Sequence, residues 1–288
     1  MKRMLYVAVL LLASAFSLAV PAELPAADYS VGMYGFYAWW NPLFRNELDD
    51  FEMDPLLLWG PIVSVRCFDK WSFTLVIAQN TTNPSSASYS QYVDTGTLPN
   101  GPFVLKTETK FFRIDVDFSV TYALTNTVRL FGGIKLYKMN QTQNDTSNDV
   151  APATYMTQDG LDGVSLHSES NFSPGAGVTT IIPLARGTSM ALSASLVYVK
   201  MNFGLPVPFS DPAGDINTDD SNSISGTYNG LGTNLTSAIS YYVEPLGVSL
   251  SLGGRFQAIK YFGGGSEDMP ELANDYYYGV TMSVLYNF

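Results

Sequence analysis

Asp115, Val116 and Asp117 set two carboxylates two positions apart, and Arg113 stands two positions before them. In an extended segment all three charged side chains project from one face, because successive side chains of a strand alternate. Paired carboxylates can divide acid–base work. Interleaved with cations, they can instead brace a buried wall or form a charged constriction that selects solutes. Four more basic residues, Arg66, Arg129, Lys135 and Arg255, occupy equivalent places in their own segments, on faces otherwise rich in Gly, Ser, Thr and Ala. Five basic residues against two acidic ones leave three positive charges unmatched. Such a wall needs water or an anion. Both the ion-pair network and the selective constriction stay open at this point.

The other chemical candidates are weaker. A single histidine, His167, rules out multi-histidine metal sites, and its neighbour Ser168 falls with it in a segment that reads as a loop. A single cysteine, Cys67, has no partner for an internal disulfide and sits on an apolar face. Asp215, Asn217 and Asp219 match the first, third and fifth ligand places of a calcium loop. The sixth place lacks Gly, and Gly226 stands where the bidentate Glu belongs, so this is a weak metal candidate. No cofactor is expected.

These residues need elements to hold them, and period-two alternation supplies ten. They begin near Tyr29–Trp40, Leu56–Cys67 and Trp71–Gln79, and end with Tyr276–Phe288. The clearest sets Phe112, Ile114, Val116, Phe118, Val120 and Tyr122 against Arg113, Asp115, Asp117, Ser119 and Thr121. Each spans about the 9–11 residues that a tilted strand needs to cross a membrane. Composition agrees: 46% of residues are hydrophobic but only 14% are charged, and mean hydropathy is only +0.07. A helical membrane protein would be far more apolar, and a soluble sandwich would carry many Lys and Glu on its outer face. The fold class is therefore all-β, a closed antiparallel transmembrane β-barrel of ten strands, with eight or twelve as alternatives. Pro61 and Pro174 fall inside strands, which predicts bulges there or strands that begin later.

Connections alternate between short turns (around 68–70, 124–127, 184–188 and 243–247) and long segments (about 41–54, 80–109, 141–170, 203–226 and 262–275). The long ones carry more than the whole net charge of −11; Asp275 is counted among the acids of the last. That negative field disfavours nucleic acid as a partner. Outer-membrane barrels pair short periplasmic turns with long outside loops, so both termini are expected in the periplasm. Lys2 and Arg3, then an apolar run from Leu5 to Val20 ending in Val20-Pro21-Ala22, predict a signal peptide over 1–22 and one barrel domain over 23–288. Trp39, Trp40, Trp59, Trp71, Tyr241, Tyr242, Tyr276, Tyr278, Tyr286 and Phe288 fall near strand ends, where interfacial girdles form.

The last segment resembles the C-terminal signal of outer-membrane barrel proteins: Val280, Met282, Val284, Tyr286 and the terminal Phe288 alternate as that signal does. The resemblance implies recognition by the barrel-assembly machinery and a place as the closing strand. It extends to the small-barrel class and to no single family within it. The omptin proteases, a ten-stranded family, use paired Asp residues and an Asp–His couple near the outer rim. Here Asp115 and Asp117 read as too near a turn, and no Asp lies two positions before His167, so protease activity is not expected, nor is phospholipase activity from His167-Ser168. The expected function is a narrow pore or small-solute-binding barrel in the bacterial outer membrane, in contact with its lipid. The alternative is a surface or structural barrel that meets an extracellular partner through its acidic loops. Oligomeric state is not legible.

Overall fold

The computed structural model describes residues 28–41, 49–80, 85–93, 103–147, 165–206, 209–210, 216–217, 223–262 and 274–288. The expected signal peptide lies outside them. In chain order the strands are β1 (Asp28–Asn41), β2 (Asp49–Met53), β3 (Leu56–Cys67), β4 (Trp71–Gln79), β5 (Ser85–Val93), β6 (Phe103–Ala123) and β7 (Val128–Ser147). There follow β8 (Ser165–Ala185), β9 (Thr188–Pro206), β10 (Phe209–Ser210), β11 (Ile216–Asn217), β12 (Ser223–Val243), β13 (Val248–Phe262) and β14 (Asp275–Asn287).

All neighbours pair antiparallel, and the ring runs β6-β4-β3-β1-β14-β13-β12-β9-β8-β7 before β7 pairs back onto β6. That is a closed barrel of ten strands. The two extra sheet members extend it upward: β5 continues the line of β4 along the upper half of β6, and β2 continues β3 along β5. β10 and β11 form a separate hairpin. Closure leaves the ten-stranded ring without an edge, which an apolar solvent requires.

The outer surface is apolar where it would face lipid. Leu196, Leu231, Ile239, Leu252 and Met282 are each more than half exposed, at 62%, 55%, 53%, 63% and 51%. A soluble monomer rarely shows so continuous an apolar belt. Aromatic pairs close the belt at both ends. Trp39 stacks on Tyr278 at 5.8 Å at one rim, while Trp71 packs on Tyr122 and Tyr286 on Phe288, both at 4.8 Å, at the other. Tyr278 and Phe288 are ten residues apart on one strand. That is about 33 Å along the strand and about 25 Å of membrane height at a tilt of ~40°. Tyr242 is exposed, and Tyr276 half-buried against Phe256. Trp40 corrects the girdle expectation. It is buried at 7% and points into the barrel, because it holds the opposite parity to Trp39.

Several long connections contain strand. β6, β8 and β12 have 21 residues each and β7 has 20, about twice what a membrane crossing needs. Segments 80–109, 141–170 and 203–226 thus contain β5, the upper ends of β6 to β9, the β10–β11 hairpin and the start of β12. His167 and Ser168 are not in a loop: they pair in β8 with Asn140 and Met139 on one side and Gly204 and Phe203 on the other. Asp275 also leaves its expected loop, as the first residue of β14.

The short turns stand where expected. Gly247, at φ 62°, closes the β12–β13 turn in a left-handed conformation that suits Gly. Phe68 and Asp69 adopt φ of 53° and 56°, a costly pair without Gly, as the primed hairpin turn requires. A register shift beside Asn171 bulges β8 against both neighbours, three residues before Pro174. Pro61 needs no bulge: it opposes Met33 in β1, and the β3–β4 register is the same on both sides of it.

Candidate functional site in the barrel lumen

β6 and β7 form the wall that carries the charge. Their register sets Arg113 opposite Met139, Asp115 opposite Tyr137 and Asp117 opposite Lys135. The Arg113 Nε donates to Asp115 Oδ1 at 2.6 Å and its Nη2 to Oδ2 at 3.2 Å. Lys135 Nζ meets the same Oδ2 at 2.8 Å, reaching diagonally past its direct neighbour. Asp115 therefore holds two cations and is buried, as Arg113 is. Such a cluster stands in a low-dielectric wall only when geometry and hydrogen bonds are both satisfied.

Two further features satisfy Arg113. Its guanidinium lies between the rings of Tyr277 and Tyr137, with Cζ 4.6 and 4.8 Å from their centroids. It also donates to the Tyr277 hydroxyl. Tyr277 in turn stacks on Trp40 at 5.4 Å, nearly parallel at 7°. Trp40 Nε1 donates to Asp275 Oδ1 at 2.6 Å, so the layers Trp40, Tyr277, Arg113 and Tyr137 cross the lumen from β1 to β7. Asn80, fully buried, fixes the backbone beneath them. Its side chain donates to the Phe111 carbonyl at 2.9 Å and accepts from the Arg113 N–H at 2.6 Å. This happens where β4 ends, so the amide replaces a missing stretch of ladder.

Apolar side chains fill the rest of this level. Phe36, Ala38, Leu56, Leu58, Phe111 and Met139 pack with Trp40 and Tyr277 on one side. Val199, Met201, Tyr228, Ile259 and Tyr261 pack on the other. The half of the lumen away from the short turns is thus a packed core, where the sequence predicts mostly Gly, Ser, Thr and Ala with a few charges.

Below it the expected small-residue lumen appears. A cavity of about 440 Å³ is walled by hydroxyls such as Ser119, Thr179, Ser193 and Ser251, with Asp117, Lys135 and Arg255 lining it beside Asp115. Gly177 lets β9 approach closely, since a Cβ there would collide with the Ala194 carbonyl oxygen. Arg255 is anchored by Asn234 at 2.8 Å and Gln257 at 3.0 Å. Asp117 is in no ion pair among the described residues.

The remaining charges lie at the turn-side mouth. Arg66 pairs with Asp28 at 3.6 Å, both well exposed, and Arg129 lines a smaller pocket beside it. Lumen and mouth therefore set Asp28, Asp115, Asp117 and Asp275 against five cations, so the expected excess of three falls to one. Sequence reasoning missed Asp275, Asn80, Trp40 and Tyr277. The pair Asp115/Asp117 also stands at mid-height on β6, well above the turn. Among the described residues no group of three or more His, Cys, Asp or Glu is placed to hold a metal ion. Asp215 and Asp219 lie outside the described residues, and Asn217 is in β11.

No family model and no curated protein matches the chain. Among solved structures it is similar to the outer membrane protease OmpT from Escherichia coli, at 12% identity, covering 91% of this chain and 96% of that one, with a TM-score of 0.49. It is also similar to Neisserial surface protein A, at 13% identity over 92% and 100% of the two chains, TM-score 0.34. A third is the CymD monoaromatic hydrocarbon channel, at 12% identity over 92% and 89%, TM-score 0.34. The closed ring, its apolar belt and its two aromatic rims make the chain an outer-membrane β-barrel.

Proposed function

We propose that this barrel binds a small polar solute in the turn-side half of its lumen and is closed to free flow in the described state. The carrying observation is the cavity of about 440 Å³, in which charged and hydroxyl groups face apolar side chains such as Leu58, Ile62 and Phe131, lying against the packed Trp40–Tyr277–Arg113–Tyr137 layers. The Asp117 carboxylate, in no ion pair among the described residues, lines the cavity beside the already partnered Arg255 and Lys135, and the three suit a hydroxylated or zwitterionic solute. The short turns and both termini face the periplasm in this reading, so the solute enters from that side. The lumen charges hold and orient a ligand and do no bond chemistry, since Asp115 is already committed to two cations.

Calorimetric titration of the detergent-solubilised barrel with neutral sugars, dicarboxylates and α-amino acids tests this. Saturable binding that weakens at least tenfold in Asp117→Asn supports it. Absence of binding across the panel, or binding indifferent to Asp117 and Arg255, rejects it. A second reading has one observation of its own: the 20–21-residue strands raise a wall of paired backbone beyond the membrane. That wall, with the acidic connections above it, suits a cationic extracellular partner.

A further inference from the structure

The turn-side mouth gathers more positive charge than its carboxylates answer. Arg66 from β3, Arg129 from β7 and Lys70 from the β3–β4 turn line one pocket of about 180 Å³, where Asp69 is the single lining carboxylate. Arg66 is within electrostatic reach of Arg129, so two guanidiniums repel across a small space. Asp28 relieves Arg66 only loosely, at 3.6 Å and in solvent. Arg129 Nε is buried and has no hydrogen-bond acceptor. A buried N–H without a partner is rare in folded proteins, and the one on Arg129 is open to an acceptor in the pocket. Asn126 adds an uncharged amide to the same pocket.

We infer that this pocket is an anion site of the phosphate class. One phosphate would supply the missing acceptor to Arg129 and separate it from Arg66, and guanidinium groups match phosphate oxygens in pairs. Two sources share this chemistry: the headgroup of a phospholipid in the periplasmic leaflet, and free phosphate. The headgroup has a route, because the pocket also reaches Trp71, which is 41% exposed on the outer face, and Lys70 Nζ lies 5.9 Å from the outward Tyr122 ring. These aromatics form the girdle at which headgroups sit.

The test uses the full barrel, its double variant Arg66→Gln/Arg129→Gln, and the single turn variant Lys70→Gln, which keeps the test valid should the double variant fail to fold. Heat-modifiable migration checks folding. One arm titrates inorganic phosphate into barrel in zwitterionic detergent and follows the ³¹P resonance. The other draws barrel from vesicles of mixed phosphatidylglycerol and phosphatidylcholine and counts retained lipid by native mass spectrometry. Saturable phosphate binding, at least tenfold weaker in the double variant and several-fold weaker in Lys70→Gln, is expected. Selective retention of phosphatidylglycerol that the variants lose assigns the headgroup. Phosphate binding without that selectivity assigns the free ion. Binding that is absent in both arms, or equal in native and variant barrels, overturns the site.

Discussion

Lys135 stands directly opposite Asp117 in the β6–β7 ladder, yet its ammonium lies 2.8 Å from Asp115, one inward position higher. The diagonal choice makes Asp115 the shared anion of two cations and leaves Asp117 to the cavity. In the proposed function, bracing and binding are split between two carboxylates that the sequence sets side by side.

Replacing Asp115 with Asn should strand Arg113 and Lys135 in a low-dielectric wall. The expected loss is about 3–5 kcal/mol of stability. Urea titration of the barrel in detergent micelles, read by heat-modifiable migration, measures it. The triple replacement Arg113→Met/Asp115→Leu/Lys135→Met should recover most of the loss, since no unpaired charge then remains. A triple variant as unstable as the single one would mean that the cluster is not the cause.

Asn80→Ala removes two bonds to the backbone around Arg113 and leaves the Phe111 carbonyl and Arg113 N–H short of partners. The cost should be about 1–3 kcal/mol, seen as a lower thermal midpoint by circular dichroism. Asn80→Asp should recover only part of this: it keeps the acceptor for the Arg113 N–H but not the donor to Phe111.

Much of this was legible from alternation, and its limits follow from solvent. Within the membrane one strand face meets lipid and must be apolar, so β14 and the lower half of β6 declare themselves. Above the membrane both faces can be polar. Stretches such as Lys106-Thr107-Glu108-Thr109-Lys110 therefore show no apolar–polar alternation and read as loop, though they pair residue by residue with β5 and β7. The same blindness hid Asp275, whose acidic surroundings suggested solvent, and Asn80, whose role depends on where β4 stops. Trp40 follows from parity alone: it belongs to the inward set Tyr34, Phe36 and Ala38, but Trp39-Trp40 reads as a girdle pair. Of the five cations set on small-residue faces, Lys135 and Arg255 line the lumen cavity and Arg113 is buried beside it, while Arg66 and Arg129 lie at the turn-side mouth.

Topology gives a prediction with a simple readout. Cysteine introduced at Asn148 should react with a membrane-impermeant maleimide on intact cells, while cysteine at Asp69 should react only after lysis. Cys67→Ser is the background. Labelling of both sites from outside would contradict the periplasmic placement of the turns.

The closing seam predicts an assembly defect. The Phe288 N–H donates to the Tyr29 carbonyl at 2.9 Å, and its ring, 72% exposed, packs on Tyr286 at the membrane rim. Val280, Met282, Val284 and Tyr286 face outward with it, so the whole alternating set is presented on the last strand. Deleting Phe288 should lower the folded, heat-modifiable fraction in the outer membrane several-fold. An unchanged fraction would deny Phe288 a part in recognition by the assembly machinery.

Single-channel recording in planar bilayers tests the closed lumen most directly. The native barrel should give no sustained current at 100 mV in 1 M KCl, because the layers from Trp40 to Tyr137 fill its half away from the short turns. The opened variant Trp40→Ala/Phe111→Ala/Tyr277→Ala should give small steps, as a ten-stranded lumen is narrow, and further replacement of Lys135 and Arg129 by Ser should shift its preference toward cations. Sustained steps from the native barrel, unchanged in the opened variant, would contradict a closed binding compartment.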